Sequence, residues 1–306
     1  MRGMVASIIL AAATLATPAR ATWLEATSSH FIIDADTSED RIRDFAIRLE
    51  RFDSALRSLY SVEDDPSRHS NRVRLYAVGT GTIVKLCGSW CRGFYYPRAG
   101  GSVIFTAALS DDQSIYDLNA QQVLLHEYSH HFMFSSYAGV FPMWLAEGFA
   151  EFNANVKFQD DGSIQVGLPA NYRAYPLFAG RNISMHELFN PPQNDLDNPR
   201  TLDVIYGRSW LLMHYLMMDP ARQKQLHTYQ QLVNSGVSSV DAATAAFGSI
   251  KELAFALEKY LSTNRFREMT VSPSPQPITL DVKPLSAGAA TMMPVHMRST
   301  AGVNLQ

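Results

Sequence analysis

A short histidine-containing segment restricts the possible fold of this chain more than any other part of its sequence. His126, Glu127 and His130 form the pattern His-Glu-x-x-His. On a helix, residues four apart leave the same face, so both imidazoles can reach one metal ion at about 2.0–2.1 Å, the usual zinc distance. Glu127 then points beside the metal, where its carboxylate can take a proton from a metal-bound water. The pattern predicts a zinc site with Glu127 as general base.

The segment around these residues is apolar on nearly all sides, which predicts a buried helix. Its apolar residues are Val123, Leu124, Leu125, Phe132, Met133 and Phe134. Burying an imidazole or a carboxylate is costly unless the group is paired, hydrogen-bonded or bound to a metal. Two hydrogen-bonded core histidines would also meet this requirement, so the pattern alone leaves that alternative open.

A second apolar helix is predicted to begin at Met143, after a loop that contains Gly139 and Pro142. It places Glu147 and Glu151 four residues apart, where two carboxylates repel each other unless a cation neutralises them. A metal ion would supply that charge. We therefore expect Glu147 to be the third metal ligand and Glu151 to accept a hydrogen bond from the N–H of a ligand histidine. The alternative for Glu151 is a solvated helix face.

Two motifs together give the chain a family resemblance. His-Glu-Tyr-Ser-His at 126–130, followed by Trp-Leu-Ala-Glu-Gly-Phe-Ala-Glu-Phe at 144–152, resembles the gluzincin metallopeptidases, in particular their peptidase MA-like group. The resemblance implies that zinc is bound by the two histidines and Glu147, and that Glu127 is the general base. No Gly-x-Met-Glu-Asn segment precedes the histidines, so aminopeptidase activity has no support.

The resemblance also implies a tyrosine or histidine from the helical half that donates a hydrogen bond to the oxyanion of the tetrahedral intermediate. Tyr206, in the segment Tyr-Gly-Arg-Ser-Trp, is the first candidate for this donor. An ordinary core tyrosine is an equally good interpretation of Tyr206. His214, on the same predicted helix, is expected to be a packed core histidine rather than a ligand.

Residues 1–21 have the pattern of a secretory signal peptide. Arg2 gives the positive start, an apolar stretch too short to span a bilayer follows, and Ala-Arg-Ala at 19–21 predicts cleavage after Ala21. The mature protein would then be periplasmic or secreted, without a membrane anchor. Loss of the two arginines in this leader changes the formal net charge from −3 to −5, which gives no electrostatic footprint for nucleic acid.

Cys87 and Cys91 are the two cysteines of the chain. In an exported protein, two cysteines this close are expected to form a disulfide that holds a loop. A metal role would need more thiols than these two, and a redox motif would have the shorter Cys-x-x-Cys spacing. The sequence therefore predicts a structural disulfide.

The apolar periodicities predict an α+β fold, in which a small N-terminal sheet with a helix precedes a mainly helical half. We expect the N-terminal α/β part of the catalytic domain at 22–118 and its helical zinc-binding part at 119–265. The composition changes after this point to prolines and small residues, which predicts a loosely ordered tail at 266–306, with one strand expected at 279–282.

A strand is predicted at 102–107, just before the histidine-containing helix. By the resemblance, its residues 103–106 form the sheet edge along which an extended peptide binds by strand addition. A central strand without a ligand role is the equally good alternative. Tyr95 and Tyr96 are expected on the loop before this strand, either lining a substrate subsite or simply packing.

These expectations describe an exported zinc metallopeptidase that acts on a peptide or protein. The alternative is a secreted binding or assembly module that keeps its zinc for structure. A closed structural site has four protein ligands, whereas three are predicted here, and this difference favours an open, catalytic position.

Overall fold

The computed structural model describes residues 23–65, 72–89, 91–98, 100–107, 119–179, 183–273 and 277–302. The predicted α+β class is confirmed, because a mixed sheet lies in the N-terminal part and most of the following chain is helical. The predicted signal peptide at 1–21 lies outside the described residues. Within those residues, no helix is long and apolar enough to cross a membrane.

The strands of the described chain are β1 (Trp23–Thr27), β2 (Phe31–Asp36), β3 (Val73–Val78), β4 (Gly93–Tyr96), β5 (Val103–Ala107), β6 (Lys157–Phe158), β7 (Ile164–Val166), β8 (Met269–Val271) and β9 (Asp281–Pro284). They form a six-stranded sheet in the order β4-β5-β3-β2-β1-β9 and a three-stranded sheet in the order β6-β7-β8. In the larger sheet β3 runs parallel to both β2 and β5, and the other neighbouring strands are antiparallel.

The α-helices of the described chain are α1 (Glu39–Tyr60), α2 (Thr80–Cys87), α3 (Ala120–Ser136), α4 (Met143–Ala154), α5 (Ala174–Phe178), α6 (Met185–Phe189), α7 (Pro199–Met217), α8 (Pro220–Asn234), α9 (Ser239–Phe247), α10 (Ile250–Ser262) and α11 (Ala287–Ala301). Helix α3 carries the two histidines, and α4 carries the two glutamates. A capping box fixes the start of α3: the side chain of Asn119 accepts a hydrogen bond from the backbone N–H of Gln122, and the Gln122 side chain accepts one from that of Asn119.

The two helices of the site are held by close contacts on either side. On one side, the hydroxyl of Tyr128 in α3 donates a 2.5 Å hydrogen bond to Asp53, which is buried on α1. On the other side, a Cβ atom at Gly148 of α4 would lie 2.7 Å from the backbone oxygen of Ser209. Only glycine fits at this position, and the lack of a side chain allows α4 and α7 to approach closely. This contact brings α7 beside the glutamates.

The predicted peptide-binding edge at 103–106 is wrong, and the alternative of a central strand is correct. This segment belongs to β5, which lies between β3 and β4 inside the sheet. Tyr95 and Tyr96, expected on a loop, belong to β4, which is the outermost described strand at this end. Phe94 of β4 stacks on Phe105 of β5 with ring centroids 4.7 Å apart. Aromatic cross-strand pairs of this kind stabilise a strand as short as β4.

The prediction of a loosely ordered tail at 266–306 is also wrong for most of the part that the structure describes, although the strand expected at 279–282 overlaps β9. Strand β8 pairs with β7, and β9 pairs with β1. Helix α11 buries Met293, Met297 and Ala301, which recur every four residues, in one cluster with Tyr76 and Phe105 of the sheet. The proline and glycine content lowers the helix propensity of the segment, but packing against the sheet overrides it.

The predicted disulfide between Cys87 and Cys91 is confirmed. It joins the end of α2 to the short loop that leads into β4. This bond therefore fixes the entry into β4, an edge strand of the six-stranded sheet as described.

Replacing both cysteines with serine should lower the free energy of unfolding by about 2 kcal/mol, since the disulfide restricts the unfolded chain. Denaturant unfolding of the wild-type protein and of the double Cys87→Ser, Cys91→Ser variant would measure this difference. As a control, a reducing agent should destabilise the wild type and leave the double variant unchanged. Equal stability of the two proteins under oxidising conditions would contradict the prediction.

Candidate metal centre

Helices α3 and α4 bring together three potential metal-ligand atoms. Nε2 of His126 lies 3.1 Å from Nε2 of His130, and Oε2 of Glu147 lies 3.3 and 3.5 Å from these two nitrogens. We call these three side chains the metal-binding cluster, because they could hold a metal ion. They lie close together because the histidines share one face of α3 and the first turns of α4 cross that face.

The size of this triangle fits a metal ion. Ligands at about 2.0–2.1 Å from a tetrahedral metal are separated by about 3.3–3.4 Å from one another. The three observed separations, 3.1, 3.3 and 3.5 Å, lie around this value. Oε2 of Glu147 is buried and accepts no hydrogen bond of good geometry from the described residues. A metal ion would satisfy it, so the cluster could hold one.

The electrostatics of the cluster favour a positive charge. Burial by itself would lower the pKa of His126, but the neighbouring carboxylates of Glu147 and Glu151 outweigh it and raise the pKa to about 10. Burial would likewise raise the pKa of Glu147, yet the imidazoles of His130 and His126 lower it to about 2. A cation between these groups is therefore stabilised, and a bound metal would take the place of the protons.

Glu151 lies in a buried ionic contact and not on a solvated helix face. Its side chain is 1 % exposed, and its Oε1 is 3.4 Å from Nδ1 of His126. Arg173 donates to both of its oxygens, at 2.5 and 3.2 Å, and the hydroxyl of Tyr172 donates at 2.8 Å. Burial opposes ionisation of Glu151, but the charge of Arg173 outweighs it and lowers the pKa of this carboxyl. Glu151 is thus a fixed carboxylate positioned to orient His126.

Arg173 and Tyr172 are site residues that the sequence did not reveal. They lie on a short 3-10 helix, Asn171–Arg173, which directly precedes α5. No spacing rule relates this segment to α4, since a loop and two strands separate them. The unpaired charge of Glu151 in an apolar helix was the one available signal, because a buried carboxylate needs a cation or several donors.

Glu127 lies beside the cluster, where β4 crosses α3. A Cβ atom at Gly93 of β4 would lie 2.5 Å from Cγ1 of Val123 and 3.7 Å from Cγ of Glu127. Burial raises the pKa of Glu127 above its ordinary value, although the nearby imidazoles act in the opposite direction. A carboxylate in such a position is a stronger base than one in water.

Tyr206 of α7 faces the same space. Its ring stacks on that of His126 with centroids 5.9 Å apart, and the guanidinium of Arg173 lies 5.2 Å from its centre. Burial, together with the surrounding carboxylates, raises the pKa of its hydroxyl well above the ordinary value, so the group is protonated. It can therefore act as a hydrogen-bond donor beside the cluster.

A cleft of about 710 Å³ opens from these residues. Its wall includes His126, Glu127 and Tyr206, and the remainder comes from Val123, Glu151 and Arg173, from the segment 91–93 at the start of β4, and from the N-terminal part of α7. This volume suits a group much larger than water, since ligand sites in proteins commonly occupy 300–1,000 Å³. The predicted core histidine, His214, lies elsewhere: it is fully buried and contacts the backbone oxygen of Gly167 at 2.9 Å.

Comparisons with known proteins add no further information on the site. No protein-family model matches the chain, and a search of curated proteins found no match.

Proposed function

We propose that this protein is a zinc-dependent metallopeptidase that hydrolyses peptide bonds with Glu127 as general base. The observation that carries the proposal is the triangle of two imidazole nitrogens and one carboxylate oxygen, because one of its members, His126, lines an open cleft together with Glu127. Three protein ligands with a free position facing a cleft are typical of catalytic zinc sites, whereas structural sites are closed by a fourth ligand.

His126, His130 and Glu147 would hold the metal, because two imidazoles and a carboxylate form a donor set that suits zinc. When bound, zinc supplies a Lewis acid that polarises the scissile carbonyl and increases the acidity of the attacking water. Glu127 takes the proton of that water and passes it to the leaving amine. Its raised pKa suits both steps, since the group must first accept the proton and then release it.

An extended polypeptide is the substrate that this cleft fits. Strand β4 is one of the two edge strands of the six-stranded sheet as described, and it passes close to Glu127 at Gly93. A peptide that pairs with this strand would be directed past the general base. The location proposed for the reaction is the periplasm or the extracellular space, which the leader-like sequence of residues 1–21 and the disulfide support.

The direct test is metal analysis combined with cleavage of a peptide library. Purified protein should contain about one zinc ion per chain, lose hydrolysis on chelation and regain it with zinc. Absence of any bound divalent ion after reconstitution would refute the proposal. One zinc ion per chain without cleavage of any peptide would instead favour the alternative, a binding module that keeps its metal for structure.

Tyr206 is proposed to donate to the oxyanion of the tetrahedral intermediate. Tyr206→Phe removes the hydroxyl and keeps the ring that stacks on His126, so kcat should fall by roughly 10- to 1000-fold. Zinc content should not change, because the hydroxyl does not ligate the metal. Steady-state kinetics and metal analysis of the same preparation provide the measurement. An unchanged kcat/KM would mean that the donor is another group.

The matched control for this variant is Tyr260→Phe. Tyr260 also carries a hydrogen-bonded hydroxyl, which contacts His214 at 2.8 Å in the helical half, but it lies outside the wall of the cleft. Its loss should leave kcat unchanged, so a fall in both variants would indicate a general effect on packing.

A further inference from the structure

A second cavity, of about 670 Å³, adjoins the catalytic cleft. The two cavities share Asn198, Arg200 and Asp203, so the start of α7 forms a common wall between them. Away from this wall, the second cavity is lined by mostly apolar side chains, among them Tyr175 and Ile183. None of the metal-binding residues reaches it, so the metal site does not account for this cavity.

We propose that the second cavity binds a distal part of the polypeptide substrate, and that it selects a segment with an acidic side chain next to an apolar one. The acidic side chain would contact Arg200, and the apolar side chain would enter between Tyr175 and Ile183. The inference rests on the proposed function, since it requires a polypeptide in the cleft beside Glu127.

Arg200 provides the charge for this selection. Its side chain is exposed and forms no ion pair with the residues that the structure describes. Asp203 does not neutralise it, because that carboxylate accepts a hydrogen bond of 2.5 Å from Arg173. Arg200 therefore presents to any chain that crosses the common wall a guanidinium without an ion-pair partner among the described residues, and such a group can pair with an acidic side chain.

Tyr175 provides the apolar contact. Its side chain is 71 % exposed although it borders a concave surface made of Pro176, Ile183 and Val204. A large aromatic group in this position loses contact with water when a ligand covers it, which is favourable. The occupant is the substrate chain and not a separate molecule, because the cavity and the cleft lie on either side of the same turn of α7 and share three of its residues.

The volumes indicate how long the substrate must be. Cavities of 710 and 670 Å³ are each roughly 9 Å across if they are equally wide in all directions, so an extended chain needs about five or six residues to cross both. A peptide of about three residues would fill the cleft alone, and one of about six residues would reach the second cavity as well.

The experiment compares these two peptide lengths. Binding of fluorescent peptides to zinc-loaded Glu127→Gln protein is measured by anisotropy, and hydrolysis is measured with the wild type. The long peptides carry adjacent Glu and Phe residues on either side of the cleavable bond, and matched peptides carry Lys in place of Glu. The long Glu peptide should bind more tightly than both the short and the Lys peptides.

Variants identify the residues responsible. In the Glu127→Gln background, Tyr175→Ala should weaken binding of the long peptide by about 5- to 10-fold more than that of the short one. Arg200→Glu should reverse the preference for Glu over Lys. The matched control is Phe178→Ala, because Phe178 lies on the same helix and is 61 % exposed but borders neither cavity. This variant should change the binding of neither the long nor the short peptide.

Three results would overturn the inference: equal affinity for long and short peptides, an equal effect of Tyr175→Ala on both lengths, or an unchanged charge preference in Arg200→Glu. Failure of the proposed function would look different. In that case, the wild type would hydrolyse no peptide although the long Glu peptide still bound more tightly than the short one.

Discussion

Glu127→Gln is expected to lower kcat for peptide hydrolysis by roughly 10²- to 10⁴-fold while zinc content and fold remain unchanged. The amide keeps the size of the side chain but cannot take a proton from water. The variant should also fold normally, because burial raises the pKa of this carboxyl and a neutral group is tolerated at the position. Steady-state kinetics, metal analysis and circular dichroism on one preparation provide the measurements.

The control for this variant is Glu268→Gln, which makes the same chemical change at an exposed site far along the chain. Its hydrolysis rate should equal that of the wild type. If Glu127→Gln protein with full zinc occupancy hydrolyses peptide at a comparable rate, the general base is another residue. If it loses zinc, Glu127 contributes to metal binding instead.

The metal-binding cluster could be predicted from sequence because its geometry is local. The spacing of His126 and His130 places both rings on one helix face, and the same rule places Glu147 and Glu151 on one face of the next helix. A short loop joins the two helices, so few arrangements are possible. The 3.1 Å distance between the histidine nitrogens follows from this local pattern, whereas the distances of 3.3 and 3.5 Å to Glu147 also require α4 to pack on α3.

The remainder of the site depends on contacts that no spacing rule describes. Arg173 reaches Glu151 from a 3-10 helix, and its sequence neighbours give no sign of that contact. Tyr206 was a candidate through family resemblance alone, and its position beside His126 results from the close packing of α4 and α7 at Gly148. Tertiary contacts of this kind cannot be predicted from the periodicity of one helix.

Two of the corrections to the predicted fold, at β4 and at α11, have a common cause. Strand β4 has four residues and follows a disulfide loop, and α11 contains Pro294, so neither segment shows the periodicity of a long regular element. Both are stabilised by partners distant in sequence: β4 pairs with β5, and Met297 of α11 packs against the same sheet. Sequence periodicity detects an apolar stripe but not the surface that will cover it.

Glu147→Gln and Glu151→Gln are expected to separate two carboxylates that look alike in sequence. Glu147 contacts Nε2 of both histidines, so losing its charge should reduce zinc affinity most strongly and remove activity with it. Glu151 contacts the other ring nitrogen of His126 and is held by Arg173. Its replacement should cost about 10- to 100-fold in zinc affinity or rate, the usual effect of losing a group that orients a metal ligand.

Zinc affinity is measured by competition with a chelator, and hydrolysis is then measured at saturating zinc. Saturating zinc should restore most of the activity of Glu151→Gln, because its metal ligands are intact. It should restore a smaller part of the activity of Glu147→Gln. Arg173→Gln is the matched test of the contact, since it leaves Glu151 in place but removes its main donor. Its zinc affinity should fall by a similar amount to that of Glu151→Gln. If Glu151→Gln lost zinc while Glu147→Gln retained it, the ligand would be Glu151, and the triangle around Glu147 would not be the metal site.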